Sequence, residues 1–436
     1  MWESLGRLAR KRGKFAAGTF RPKCAVSQGS PAPLLLKPWY FGANMKFKLF
    51  VVLIVLAPFL ARAPYAAPVA EPFEIRFSPA DSVYRVALND EEHLYDCVIQ
   101  NIAVVNKTTA PVQLQRIEFQ FLIKGDLVQS RFIPGSELDA RAQRIFTLNE
   151  SGALKEAEKE FRLRELFADA QLSRSTRLEP NHGILLRHQY FQLSGEVDTI
   201  KVIAHGKKDK EETPQSVAQI AVVNYQTKTK FSFPLNGTWY VSNAGEPSGT
   251  HRWGIGQEFA YDLVRVDMEG SSGKGDETKP ESYYAYGQEV LAPADGTVYE
   301  VRDGIDDTPM AQFAANPDTM MKLLREYQTK LRAQYGPRGT EGNIVIVDHG
   351  NGEYSVMVHL KKGSIRVKKG DRVKRGQVLA QVGQSGLSTE PHLHFEVVSD
   401  ADVFKQRGLP IFFYGLEDEE GPKFLRHGDF ARRASQ

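Results

Sequence analysis

Apolar and polar positions alternate closely in the first half of the chain. Ile117, Phe119, Phe121 and Ile123 are apolar, with Glu118 and Gln120 between them and Leu122 the one exception. That near period of two predicts a strand with one buried face. Similar short strands are predicted near residues 99–105, 184–193, 199–204 and 217–224, and a charged helix over 154–172 interrupts them. The region 71–235 therefore reads as a β-sandwich of immunoglobulin-like type. The stretch 234–249 follows, with Asn236-Gly237 and Glu246-Pro247-Ser248-Gly249 as breakers, and it marks a domain boundary.

Beyond the boundary, over 236–403, short strands alternate with glycine-containing turns. Two insertions break the pattern. Residues 269–282 are rich in glycine, serine and charge and read as a flexible loop. Residues 304–342 contain one inserted helix, with Asn316 as N-cap, Pro317 at the first helical position and Gly336 as the stop. Met320, Leu324, Tyr327, Leu331 and Tyr335 recur on one face of it. This stripe is expected to pack against the body of the same half; a lid over a substrate groove is the sharper alternative. Residues 404–436 read as a charged C-terminal tail.

One long apolar run, Leu49 to Leu60, follows Lys46 and Lys48 and precedes the small residues Ala61, Ala63, Ala66, Ala67 and Ala70. This order is that of a secretory signal peptide over 45–70, and the run is short for a membrane span. A signal peptide works at an N-terminus. Translation is therefore expected to start at Met45, with 1–44 a non-native extension; an uncleaved anchor with a basic tail is the alternative. An exported, periplasmic or envelope-associated protein is implied.

Charge sharpens the picture. The chain has 56 basic and 53 acidic residues, but residues 1–70 hold eleven of the former and one of the latter. This leaves 45 basic against 52 acidic residues over 71–436. A nucleic-acid partner is not expected, because a clustered basic face is missing from the acidic part. Only Cys24 and Cys97 occur, so the part after the leader has one thiol and no internal disulfide.

The chemistry concentrates in Pro391-His392-Leu393-His394-Phe395. On a strand, His392 and His394 share one face while Leu393 and Phe395 take the other. Such a pair suits a metal ligand with an adjacent catalytic partner, although this spacing alone is a weak signal. No His-Glu-x-x-His helix is present, which excludes the helical zincin arrangement. His93, His182, His188 and His205 are scattered and read as structural or surface residues. His349 reads as a turn residue, and His427 has no partner in sequence.

Blocks at 286–298, 342–350, 358–360, 363–373, 376–377, 382–386 and 391–395 occur in the order found in one family. Among them are Val358-His359-Leu360 and the His392/His394 block. Over residues 237–400 the chain resembles the lysostaphin- and LytM-type peptidoglycan metalloendopeptidases. The resemblance implies a duplicated-hybrid-motif β-barrel or sandwich. It implies one zinc ion held by His251, Asp262 and His394, with His359 and His392 as the catalytic pair. It also implies peptidoglycan peptide stems as the substrate. His251 and Asp262 are eleven positions apart, where the family usually spaces this pair more closely, and Val358 stands where an aromatic residue is common.

Other readings make different demands. A silent LytM-like module that binds the wall or activates an amidase would lack some of the five positions, and all five are filled here. A lipoyl- or biotinyl-type carrier resembles the hairpin at 367–377 but needs a modified lysine, usually beside methionine, and no such tripeptide is present. A transport adaptor would need long coiled-coil heptads, which are not found. Residues 71–235 remain a candidate docking surface for an envelope protein. The oligomeric state is not legible.

Overall fold

The computed structural model describes residues 71–89, 92–311 and 319–434. The leader readings over 1–70, Cys24 and the Asn316-Pro317 helix start lie outside these residues. Among the described residues no helix is long and apolar enough to cross a membrane.

The period-two segment forms the strand Val112–Ile123, with Val112, Leu114, Ile117, Phe119 and Phe121 buried. It belongs to a seven-stranded sheet, between Thr199–Lys208 and the edge strand Asp126–Pro134. A five-stranded sheet lies against this one, centred on Leu94–Asn106 paired with His182–Ser194. The two share one apolar core, in which Ile99, Ile102, Phe191 and Leu193 meet Phe119, Phe121, Ile200 and Val202. Cys97 is a free, fully buried thiol in that core, and burial pushes its pKa up.

The helical part of this half differs from the expected single helix over 154–172. A sixteen-residue helix, Gly135–Glu150, comes first and buries only Leu138 and Ala142. Three one-turn helices follow at Ala153–Glu156, Glu158–Phe161 and Leu163–Leu166. Arg162 breaks the run: it adopts a left-handed φ of 52° and its buried guanidinium donates to the Gln406 carbonyl at 2.8 Å. A non-glycine residue at positive φ cannot continue a right-handed helix. Leu154, Phe161 and Leu166 instead cover Ala103, Val105 and Leu185 on the outer face of the five-stranded sheet.

The second half is built on an eight-stranded sheet. In spatial order its strands are Arg372–Val373, Gly296–Arg302, Asn343–Asp348, Tyr354–Leu360, Leu393–Val398, Tyr261–Val264, Thr238–Asn243 and Phe430–Arg432. Two small sheets add Glu289–Leu291 with Val378–Gln381, and Phe231–Ser232 with Phe413–Tyr414. Trp239, Tyr261, Phe395 and Phe413 lie in its main core. Residues 404–434 are woven into the same core through Leu409, Ile411, Leu416, Leu425 and Ala431. The inserted helix spans Met320–Tyr335 and ends at Gly336, whose φ of 76° suits glycine. Leu324 and Leu331 are its buried residues. The insertion at 269–282 is pinned by Ser272 Oγ donating to Glu390 at 3.0 Å.

Candidate metal centre

Asp262 and His394 stand opposite each other on neighbouring antiparallel strands. Their side chains therefore rise from the same face, and His394 Nδ1 lies 3.0 Å from Asp262 Oδ1. Leu393 and Phe395 point the other way and are fully buried in the core. Alternation along one strand thus separates the chemistry from the packing.

His251 comes from a different kind of element, the single 3₁₀ turn His251–Trp253. Gly249 lets the chain reach it, since a Cβ there would stand 2.6 Å from Asn243 Oδ1. His251 Nε2 lies 2.9 Å from Asp262 Oδ2 but lacks hydrogen-bond alignment, and among the described residues this buried nitrogen has no other partner. An orphaned buried nitrogen is costly unless something else satisfies it.

One ligand atom from each of His251, Asp262 and His394 falls within 4.8 Å of the others, so the three form a group able to hold a metal ion. Tetrahedral coordination with bonds of about 2.0–2.1 Å places donor atoms roughly 3.3 Å apart. His251 Nε2 and His394 Nδ1 approach different oxygens of Asp262, at 2.9 and 3.0 Å, so the carboxylate stands between the two imidazoles. A cation among these atoms would also satisfy the orphaned His251 nitrogen, so the donor set fits a metal.

Two residues outside the sequence-based set support it. Asn243 donates from Nδ2 to Asp262 Oδ2 at 3.1 Å. Glu396, buried two positions beyond His394, has Oε2 3.4 Å from His394 Nε2. The alternation of His392, His394 and Glu396 on one face was the available signal for Glu396. Nothing local in sequence singled out Asn243.

His392 precedes the strand Leu393–Val398 by one residue. Its Nδ1 donates to the Glu390 carbonyl at 2.8 Å and its Nε2 lies 3.3 Å from Asp262 Oδ1. The His359 and His392 ring centroids are 4.9 Å apart. His359 donates from Nδ1 to the Ser385 carbonyl at 2.8 Å, since a carbonyl can only accept. Its Nε2 is then the free acceptor when the ring is neutral. His359 holds a left-handed φ of 61°, which a non-glycine residue adopts at a cost.

The charges divide in a consistent way. Burial opposes ionisation of Asp262, but the neighbouring His251 and His392 outweigh it and hold the carboxyl well below its usual range. Burial likewise opposes protonation of His394, while Asp262 and Glu396 prevail and push it up to about 10. His392 is also raised, by Asp262 against burial. His359 moves the other way: burial, then repulsion from His392 and His394, holds it well below the ordinary histidine range. A neutral imidazole thus sits beside a carboxylate-bound cluster.

All five residues named from sequence converge here. Three of the remaining histidines are engaged elsewhere. His349 Nδ1 and Nε2 contact the Asp295 carbonyl at 2.8 Å and Ser355 Oγ at 2.7 Å, and His205 pairs with Glu118 at 3.1 Å. His427, expected to lack a partner, contacts the Ser242 carbonyl through Nδ1 at 3.0 Å.

Residues 327–405 match the sequence profile of peptidase family M23, a span that holds His359, His392 and His394 and leaves out His251 and Asp262. Among curated proteins it is similar to the peptidoglycan DD-endopeptidase ShyA of Vibrio cholerae. They are 46% identical over 70 residues, which are 16% of this chain and 14% of that protein. ShyB of the same organism, another peptidoglycan DD-endopeptidase, is 47% identical over 57 residues, 13% of each chain. The glycyl-glycine endopeptidase ALE-1 of Staphylococcus capitis is 30% identical over 118 residues, covering 27% of this chain and 29% of ALE-1. The chain thus matches only about a seventh of the length of its DD-endopeptidase relatives. The solved catalytic domain of lysostaphin from Staphylococcus simulans aligns over 40% of this chain and 88% of its own, at 16% identity and a TM-score of 0.22.

Proposed function

We propose that this chain is a zinc-dependent endopeptidase that hydrolyses peptide cross-links in peptidoglycan, with His251, Asp262 and His394 as the ligands of one zinc ion. The reading rests on one observation above all: these three side chains converge, and the buried His251 Nε2 has no hydrogen-bond partner among the described residues. Mixed nitrogen and oxygen donors suit zinc, and three protein ligands mark a catalytic site rather than a structural one. Zinc held this way supplies an acidified water and polarises the scissile carbonyl.

His359 and His392 are the catalytic pair. His359 Nδ1 is committed to the Ser385 carbonyl, so its free Nε2 accepts the proton of the attacking water. His392, oriented by its Nδ1 bond to the Glu390 carbonyl, would in its protonated form donate from Nε2 to the carbonyl oxygen as negative charge develops there. The proton then passes to the departing amine. Glu396 and Asn243 fix the orientation of the ligands His394 and Asp262.

The relatives with the higher identities carry names of peptidoglycan DD-endopeptidases, which favours a D-Ala-to-diamino-acid cross-link over a glycine bridge. The chain acts in the periplasm or cell envelope, its leader being residues 45–70. Residues 71–235 form a domain of immunoglobulin type that meets an envelope partner. Residues 236–403 form a duplicated-hybrid-motif domain, closing as a barrel or sandwich, and residues 404–434 pack into its core instead of trailing as the expected tail. The test is digestion of defined muropeptides by the full chain, with and without a chelator. Release of D-Ala-linked stems that the chelator stops and zinc restores is expected. Cleavage indifferent to the chelator overturns the reading.

A further inference from the structure

Two of the three donors need no outside help. Asp262 and His394 are a register pair in the sheet, so the strand ladder sets their separation. His251 has no such support, because its 3₁₀ turn is three residues long and belongs to no sheet. The first half of the chain supplies what holds it.

Arg252, the next residue, is completely buried. Its Nη2 donates to Asp96 Oδ1 at 2.6 Å and its Nη1 to Glu258 Oε1 at 2.9 Å. The guanidinium carbon also lies 5.1 Å from the centre of the Phe259 ring. The Arg252 carbonyl accepts from Gln100 Nε2 at 3.0 Å. The Trp253 ring packs against His188 and Tyr190, with centroids 5.4 and 6.2 Å away. The Ile255 amide donates to Glu160 Oε2 at 2.9 Å.

Asp96 and Gln100 lie on the strand Leu94–Asn106, and His188 and Tyr190 on its neighbour His182–Ser194. The five-stranded sheet therefore grips the backbone directly after His251 through charge, carbonyl and ring contacts at once. A fully desolvated guanidinium shared by two carboxylates has one well-defined position, since any shift leaves a buried charge unpaired. That rigidity passes one residue along the chain to the imidazole.

We propose that the N-terminal half tunes the metal affinity of the centre, with Asp96 and Arg252 as positioning residues for His251. This rests on the metal-centre reading above and adds a role for the first half that needs no contact with metal or substrate. Groups that orient metal ligands change affinity by about 10–100-fold when removed.

The test uses the full chain and measures zinc affinity by competition with a chelator, with thermal unfolding in chelator as the check on folding. Asp96→Ala is expected to weaken zinc binding by about 10–100-fold. Asp96→Asn, which keeps an acceptor for Nη2, is expected to restore most of it. Trp253→Leu probes the same turn without disturbing a buried charge and carries the test if Asp96→Ala does not fold. In a His251→Ala background, already weakened, neither change is expected to matter further. General loosening of the fold would instead lower affinity equally with and without the His251 imidazole, and that result overturns the proposal. Wild-type affinity in the single variants also overturns it, while leaving the metal centre intact. A wild-type chain that takes up no zinc overturns the metal reading itself.

Discussion

Asp262 and His394 face each other across two adjacent strands, with 3.0 Å between Oδ1 and Nδ1 and a backbone register that leaves neither free to drift. This pair is the fixed edge of the centre, against which His251 is held from outside the sheet. Different consequences follow for the residues that hold the metal, orient its ligands and move protons.

His359 lies outside the metal-holding group, its Nδ1 bound to Ser385. His359→Ala is therefore expected to keep zinc at wild-type stoichiometry while cleavage falls by about 10²–10⁴-fold. Metal analysis and muropeptide turnover on the same preparation check this. Loss of zinc together with activity would reassign His359 to the ligand set.

Glu396 touches His394 on the side away from Asp262. Glu396→Gln is expected to weaken zinc binding by about 10–100-fold and leave the fold in place. Chelator competition measures the first and circular dichroism the second. Unaltered affinity would make Glu396 a packing residue only.

With His394 raised to about 10, zinc must displace its proton at neutral pH. Zinc affinity is expected to climb as pH rises from 6 and to flatten once the solution passes the His394 value. In chelator the sign reverses for stability. A raised histidine pKa stabilises the fold fully below its unfolded value of about 6.5, and that contribution is lost as pH rises through about 10. Titrations of zinc binding and of unfolding over this window check the two opposite slopes. Affinity that declines with rising pH would contradict the assignment.

Phe395 shares the His394 strand but points into the core with no exposure. Phe395→Ala is expected to cost about 3–5 kcal/mol of stability through lost burial and the cavity left behind. Urea unfolding measures it, and a cost under 1 kcal/mol would contradict the packing described.

Sequence made much of this visible, for identifiable reasons. The strand Val112–Ile123 announces itself by alternation because one face is buried and the other is not. By contrast, Leu94–Asn106 is buried on both faces, so its full thirteen-residue length had no alternating signature. The single helix expected over 154–172 is interrupted at Arg162, which turns left-handed and bonds Gln406, 244 positions away. No local propensity encodes such a contact. His392 and His394 are legible in the block at 391–395 and Asp262 through the family resemblance, and the pairing of Tyr261–Val264 with Leu393–Val398 brings Asp262 and His394 together. His251 was named from position alone. What holds its turn comes from Asp96, Gln100 and His188, distant residues that local patterns do not connect to it.

The most direct measurement compares the full chain with its Asp262→Ala variant, scoring zinc content and digestion of cross-linked muropeptides together. Asp262 meets His251, His392 and His394, so the change removes the group that all three share. The expected result is about one zinc per wild-type chain with cleavage of the cross-link, and neither in a variant that still folds. A folded Asp262→Ala variant that cleaves at the wild-type rate would contradict the account.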